Sequence, residues 1–256
     1  MAGTIALDDI PTEYGTISIT KNTDTGALTY AVGGRRQGAA DSGGTSLAYY
    51  IHAIFGLLTQ AKARNILMIG GACCTLATML ERARRQATIV DINPACFALA
   101  RRYFGLAESV PCHAAEGEAF LRGQTSRYDA VVLDAFHGDD IPPHLHSPEF
   151  FARVRQCLTP GGAMFANVLV KHDFDDCPDR LAQGMKRVWP DVRVLDGAGV
   201  DHNAIVMAGQ VLNLREPGLL QKPCIHAAAI RDELARLQFR AWKNAPRDFG
   251  GGSESR

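Results

Sequence analysis

Short, unbroken apolar runs alternate with amphipathic stretches from residue 65 onwards. Such apolar runs are typical of strands buried on both faces of a parallel sheet, and the amphipathic stretches between them are typical of crossover helices. Strands are predicted at Ile66–Ile69, Thr88–Asp91, Val110–His113, Ala130–Asp134 and Ala163–Val168, with a closing antiparallel pair at Val192–Leu195 and Ala204–Ala208. Helices are predicted at Leu76–Arg85, Pro94–Phe104, Glu116–Arg122 and Pro148–Cys157. The pattern predicts an α/β fold with a doubly wound, Rossmann-like sheet.

Residues 1–60 follow a different pattern. Two β-rich runs, Thr16–Thr20 and Ala27–Val32, flank a turn-forming segment and predict a small N-terminal β-hairpin region. The apolar run Leu47–Leu58 predicts a buried helix that would form a lid beside the hairpin. Near the other end, Ile225–Trp242 predicts an amphipathic helix before a glycine-rich tail. We therefore divide the chain into a hairpin and lid helix at 1–60, a Rossmann-like domain at 61–215, and a C-terminal helix with a loose tail at 216–256.

Charge and composition narrow the range of partners. The chain has 256 residues, with 27 Lys plus Arg against 27 Asp plus Glu, and a sequence pI near 7.1. This balance gives no overall field that favours nucleic acid or an anionic membrane. No run approaches the roughly 18 apolar residues of a membrane helix, and the N-terminus shows no basic, apolar leader, so we expect a cytoplasmic protein. The 7 cysteines show neither a Cys-x-x-Cys pair nor a zinc pattern, so no metal is expected.

Ligands of a doubly wound sheet bind at the carboxyl ends of the strands, where this sequence carries small and acidic residues. Gly70, Gly71 and Ala72 follow the first predicted strand, and small residues there let a ligand approach backbone amides at a helix N-terminus. Asp91 ends the second strand 21 positions after Gly70, close to the spacing at which an acid accepts hydrogen bonds from a ribose diol. A tight strand-to-helix turn is the alternative explanation of the glycine loop, and a cap for the following helix is the alternative explanation of Asp91. The two features together favour a nucleoside site.

Two further segments add to the candidate site. Glu116, which precedes Gly117, can accept the exocyclic amine of an adenine, and Ile92 can supply apolar contact to the ring. A first-turn acid stabilised by the helix dipole is the alternative explanation of Glu116. Asp134 ends the fourth strand and opens a loop, residues 135–146, in which histidines and acids are dense. Such residues at a strand end suit the orientation and deprotonation of an amine, and we rank a metal site below that interpretation.

Together these residues resemble the spermidine synthase superfamily, whose members have the Rossmann-like fold of class I S-adenosylmethionine-dependent methyltransferases. The resemblance rests on the hairpin before Gln37, the glycine loop, Asp91, Glu116-Gly117, Asp134 and the Leu158–Gly162 segment. The loop from Asp134 to Leu145 resembles a bacterial spermidine-synthase-like branch with the signature Asp-Ala-Phe-x-Gly-Asp-x-Ile-Pro-x-His-Leu.

The resemblance implies an adenosyl sulfonium co-substrate, either S-adenosylmethionine or its decarboxylated form, bound by a nucleoside-binding catalytic domain at 61–215. Asp91 would hold the ribose, Glu116 would bind the adenine amine, and Asp134 would lie near the reacting sulfonium. The remaining donor contacts would come from Gly70, Gly71, Ala72, Ile92 and Gly117.

The sequence also departs from the polyamine synthases of this superfamily. Their glycine loop carries an acid that contacts the aminopropyl ammonium, and this chain has Cys73 at that position. Their second acid in the loop after the fourth strand is His137 here, and their Tyr-His-Glu diamine contact falls near Ser46–Ala48. A dication needs carboxylates to offset its desolvation, so plain putrescine fits this chain poorly.

The leading hypothesis is an enzyme of polyamine biosynthesis that transfers an aminopropyl group to a small amine other than plain putrescine. Asp134 would orient the acceptor and His137 would take its proton, while Gln37, Asp139 and His144 are the expected substrate contacts. An S-adenosylmethionine-dependent methyltransferase and a non-catalytic nucleoside-binding homologue are the alternatives. A nicotinamide-dependent oxidoreductase is more distant because the third glycine of the loop is absent. A homodimer is expected from the family and from its frequency among oligomers.

Overall fold

The computed structural model describes residues 3–172, 174–199 and 201–242. The loose tail predicted at Gly250–Ser253 lies outside these residues. None of the helices in the described ranges is both long and apolar enough to cross a lipid bilayer.

A four-stranded antiparallel sheet precedes the main fold. Its strands, adjacent in chain order, are β1 Thr4–Ile10, β2 Ile17–Asn22, β3 Leu28–Val32 and β4 Arg35–Ala40. The predicted hairpin corresponds to β2 and β3, whose alternate residues Ile17, Ile19 and Tyr30 are buried in the core shared with the main sheet. The sequence pattern did not predict β1 and β4, because β1 is half exposed and β4 opens with two exposed arginines, so neither shows an apolar run.

An eight-stranded sheet forms the centre of the molecule. Its parallel part, in spatial order, is β7 Cys112–Ala114, β6 Gln86–Asp91, β5 Asn65–Ile69, β8 Tyr128–Leu133 and β9 Leu158–Val170. The antiparallel strands β11 His202–Gly209, β10 Val192–Asp196 and β12 Gln238–Arg240 continue it. The strand order reverses between β5 and β8, which creates the switch point where ligands bind in such sheets. The predicted fold class is confirmed.

Helices cover both faces of this sheet. One face carries α1 Tyr49–Gln60, α2 Thr75–Arg82, α3 Ala95–Tyr103 and α7 Ala227–Arg236. The other carries α4 Gly117–Arg122, α5 Pro148–Cys157 and α6 Cys177–Lys186, and a short 3-10 helix lies at Pro143–His146. The helix predicted as a lid is α1, which buries residues from Ile51 to Leu58 in the first of these layers. Helix α6 was not predicted, although Leu181, Ala182 and Met185 give it a buried face.

The prediction was wrong about where the C-terminal helix ends. Helix α7 ends at Arg236 rather than at Trp242, because Leu237 adopts an extended backbone with ψ of 131° and the next residues pair with β10 as β12. The Arg240 side chain anchors β12 by donating to Asp196 at 2.7 Å and to Asp179 at 2.7 Å. The main sheet therefore takes its edge strand from the 216–256 segment.

Gly70 occupies a position where the backbone leaves no room for a side chain. Its φ of +88° lies in the left-handed region, and a Cβ there would meet the Asp134 carbonyl oxygen at 2.2 Å. Gly34 has a similar φ of +79° with nothing within 4 Å of its Cβ position. We predict that Gly70→Ala lowers the free energy of unfolding by about 3 kcal/mol and Gly34→Ala by about 1 kcal/mol, because only the first adds a steric clash to backbone strain. Equal losses in urea denaturation would contradict this account.

Candidate active site

The carboxyl ends of β5, β6 and β8 meet at the switch point. The Gly70 backbone N–H donates to Val90 O at 2.9 Å, and the Asp134 N–H donates to Ile69 O at 2.8 Å. These bonds fix the glycine loop between the ends of the two neighbouring strands. The structure therefore brings together the residues that the sequence placed at separate strand ends: the glycine loop, Asp91 and Asp134.

Asp91 has its carboxylate held by the loop beside it. Its Oδ2 accepts from the Gly71 N–H at 2.8 Å, and its Oδ1 accepts from the Asn93 N–H at 2.9 Å. Burial raises the pKa of Asp91, and these backbone hydrogen bonds oppose that rise. The neighbouring Ile92 side chain is 46% exposed, which leaves an apolar surface beside the carboxylate. A fixed acid next to exposed apolar surface matches the two needs of a nucleoside, a ribose diol partner and a ring contact.

Glu116 caps helix α4 with both carboxylate oxygens. Oε1 accepts from the Glu118 N–H at 2.8 Å and Oε2 accepts from the Ala119 N–H at 2.7 Å. The His144 Nε2 lies 2.9 Å from Oε1. A Cβ at Gly117 would lie 2.5 Å from Ile69 Cγ2, so this position packs directly on the end of β5. Glu116 thus acts as the cap of helix α4, and its Oε2 can still accept a second hydrogen bond.

Asp134 is linked to a chain of hydrogen bonds that crosses three strands. Its Oδ1 accepts from Asn167 Nδ2 at 2.7 Å, and Asn167 Oδ1 accepts from Asn203 Nδ2 at 3.0 Å. The Asn203 N–H donates to the Tyr49 hydroxyl at 2.6 Å on helix α1. Burial raises the pKa of Asp134 to about 6, against the opposing effect of Asn167. This carboxylate therefore changes charge close to neutral pH, which is a property typical of groups that take part in proton transfer.

A narrow cavity lies in front of Asp134, between the N-terminal sheet and the glycine loop. Gln37, Tyr50 and Cys73 are among its lining residues. The Cys73 sulfur packs on β4 so closely that a Cβ at Gly38 would lie 2.4 Å from it. Burial raises the pKa of the Cys73 thiol to about 12, so the thiol stays protonated and neutral. The structure places Gln37 and Ala72 at this cavity, as two of the predicted site residues.

The loop after Asp134 is tied to the rest of the protein by ion pairs. Asp139 binds Arg35 of β4 at 2.6 Å, and Asp140 binds Lys171 at 2.7 Å. His137 and Asp140 form a tight backbone turn, and the His137 residue is exposed. Asp139 and His144, both predicted as substrate contacts, therefore already have partners within the chain. Arg35 and Lys171 were not predicted, because a single arginine or lysine outside a motif carries no signal of where it folds.

No group of three or more metal-binding side chains comes together within residues 3–172, 174–199 and 201–242.

Tyr49 and Asn203 were also missed by sequence reasoning. Their contact joins α1 to β11 across 154 positions of sequence, a distance at which residue patterns carry no pairing information.

Comparison with known proteins shows what this chain is similar to. The family model described as the spermine/spermidine synthase domain matches residues 50–174. This part of the chain, just under half of its 256 residues, is similar to that family. The match covers the glycine loop, Asp91, Glu116, the Asp134 loop and Leu158–Gly162, and the hairpin before Gln37, which also carried the resemblance in sequence, lies outside it.

Individual proteins and solved structures show the same similarity. A probable polyamine aminopropyl transferase of Bifidobacterium longum is 27% identical over 195 residues, which cover 69% of this chain and 44% of that protein. The chain thus spans less than half the length of this curated relative. A probable spermidine synthase from Corynebacterium glutamicum superposes with a TM-score of 0.73 at 22% identity, over 94% of this chain and 90% of the other.

A spermidine synthase solved in complex with the transition-state analogue AdoDATO superposes with a TM-score of 0.59 at 17% identity, over 80% of this chain and 72% of the other. These two superpositions show that the spermidine synthase fold extends over most of the chain, including the parts outside the family match.

The buried carboxylate of Asp134 should make the free energy of unfolding depend on pH. The folded pKa of about 6 lies above the ordinary value of 3.8, so Asp134 favours the folded state at low pH and loses this contribution as pH rises through 6. Asp134→Asn removes the titration. We predict that the variant gains about 2 kcal/mol of unfolding free energy relative to wild type between pH 4 and pH 7.5. Urea denaturation at both pH values measures this, and a pH-independent difference would contradict the burial of a charged group.

Proposed function

We propose that this protein is an aminopropyltransferase that takes the aminopropyl group of decarboxylated S-adenosylmethionine and transfers it to a small amine. The observation that carries the proposal is the position of Asp134, a buried carboxylate fixed by Asn167 beside a glycine loop and a ribose-type acid. The match to the spermine/spermidine synthase domain and the similarity to the polyamine aminopropyl transferase of B. longum support the reaction type. The AdoDATO complex of a protein with this fold supports an adenosyl-based donor.

The chain's own groups suit the nucleoside end of such a donor. Asp91 would accept hydrogen bonds from the ribose diol with the lone pairs that Gly71 and Asn93 leave free. Glu116 Oε2, which has one backbone partner, would accept the adenine amine while His144 stays on Oε1. Ile92 would contact the ring. The absence of a side chain at Gly70 lets the loop cross the Asp134 carbonyl, and the backbone of Gly70 and Gly71 would face the donor chain.

The transfer itself is a displacement at carbon. The acceptor nitrogen attacks the propyl carbon next to the sulfonium, a C–N bond forms, and the C–S bond breaks with its electron pair passing to sulfur. The products are methylthioadenosine, the alkylated amine and one proton. Sulfonium is already a good leaving group, so the protein contributes mainly by aligning the amine and receiving its proton. Asp134 would orient the attacking N–H, and His137 would take the proton to solvent.

The other predicted substrate contacts are less free to act. Gln37 lines the cavity and keeps the role of a substrate contact in the proposal. Asp139 would have to release Arg35 before it could bind substrate, and His144 would have to release Glu116. The expected homodimer and cytoplasmic location stay predictions of the sequence.

Mass spectrometry of reactions with decarboxylated S-adenosylmethionine and a panel of amines tests this function. We predict an alkylated amine together with methylthioadenosine, and a loss of about 100-fold in kcat/KM for Asp134→Asn because the attacking amine is no longer oriented. His137→Ala should lose about 10-fold, since water can partly replace an exposed proton acceptor. Asp9→Asn, an exposed change on β1, is the matched control and should keep full activity. Unchanged turnover in both site variants would disprove the assigned roles.

A further inference from the structure

The Asp134 side chain is held at only one of its two carboxylate oxygens. Oδ1 accepts from Asn167 Nδ2 at 2.7 Å, whereas Oδ2 has no hydrogen-bond partner among the residues that the structure describes. The backbone is fixed as well, because the Asp134 N–H donates to Ile69 O at 2.8 Å. The carboxylate cannot rotate without losing the Asn167 hydrogen bond, so its two oxygens keep separate surroundings.

The Asn167 amide is held from its other side too. Its Oδ1 accepts from Asn203 Nδ2 at 3.0 Å, so its Nδ2 is the end turned toward Asp134. An ionised carboxylate accepts such an N–H more strongly than a protonated one, and a proton is placed more readily on Oδ2, which faces no donor of the described chain. Asn167 therefore favours the ionised form, and its hydrogen bond opposes the rise in pKa that burial causes at Asp134.

The Tyr49 hydroxyl clamps the backbone of Asn203. It accepts from the Asn203 N–H at 2.6 Å and donates to the Asn203 carbonyl oxygen at 3.1 Å. Burial raises the pKa of Tyr49 to about 12, so the hydroxyl keeps the proton that it donates. A chain of side-chain hydrogen bonds thus runs from helix α1 to the Asp134 carboxylate, and its middle member, Asn167, is buried.

We propose that Asn167 is the positioning residue of Asp134: it occupies Oδ1 and thereby leaves Oδ2 as the oxygen that receives the N–H of the attacking amine. The inference rests on the proposed function and adds to it a residue that acts through Asp134 rather than on the substrate. Asn203 and Tyr49 hold Asn167 in turn, so their effect on the reaction should be smaller.

The pH dependence of kcat/KM in Asn167→Leu tests this role, because leucine keeps the branched shape of the side chain and lacks the amide. We predict a wild-type to variant ratio of about 10 at pH 9, from lost orientation, that rises by a further factor of about five at pH 6, where Asp134 of the variant is more fully protonated. The ionisation of the amine substrate is common to both proteins and cancels in this ratio. A ratio that is the same at both pH values would indicate a structural loss and overturn the inference.

Two matched tyrosine variants separate the hydrogen-bond chain from general damage. Tyr49→Phe should lower kcat/KM by about threefold, because Asn203 loses its clamp, and Tyr128→Phe should leave kcat/KM unchanged. Tyr128 is the matched control because its hydroxyl donates to Gln124 Oε1 at 3.3 Å, at the opposite end of β8 from Asp134. Equal effects of the two variants would contradict a role for the chain.

Urea denaturation gives a second readout that needs no turnover. Wild type and Asn167→Leu, each with and without Asp134→Asn, yield the contribution of Asp134 to stability at each pH. This contribution is lost as pH rises through the folded pKa, so the loss should level off near pH 6 in wild type and about one pH unit higher in Asn167→Leu. Levelling off at the same pH in both would overturn the inference, whatever the reaction. No product from any amine would instead overturn the proposed function, and with it the role of Oδ2 toward an amine, while a shifted titration would still show that Asn167 controls Asp134.

Discussion

The close approach of the glycine loop to the end of β8 is the constraint on which the rest of the site depends. At Gly70 the chain crosses the Asp134 carbonyl with space for a hydrogen atom and none for a methyl group. The crossing lets the loop reach the Asp91 carboxylate, which then accepts the Gly71 N–H at 2.8 Å. Because one backbone segment contacts both acids, the nucleoside end and the reacting end of the site are held in a fixed relation.

Burial of Asp134 links this geometry to chemistry. The carboxylate sits among neutral groups and is held by the Asn167 amide, whose own position depends on Asn203 and Tyr49. An acid with a pKa raised to about 6 is mostly ionised at neutral pH, where it can orient an amine. It becomes protonated once the pH falls slightly below 6. The electrostatics of one residue therefore bear on stability and on proton transfer.

The sequence predicts the parts of this molecule whose structure is determined by local residue patterns. Asp91 and Asp134 follow apolar runs, so their place at strand ends, and hence at one edge of a parallel sheet, follows from periodicity. The strand β12 cannot be predicted in this way, because it has no apolar pattern. Its three residues pair with β10, and the side chain of Arg240 donates to Asp196. The ion pairs of Arg35 and Lys171 join segments far apart in sequence. No local pattern encodes such contacts, so they become visible only in the folded chain.

Calorimetric titration with decarboxylated S-adenosylmethionine, S-adenosylmethionine and methylthioadenosine shows which donor this site binds. The decarboxylated donor should bind more tightly than S-adenosylmethionine, because no lysine or arginine lies among the described residues around Asp134 to pair with the α-carboxylate that distinguishes the two. Methylthioadenosine should bind as well, through the nucleoside contacts alone. Tighter binding of S-adenosylmethionine, or no binding of any of the three, would contradict the account.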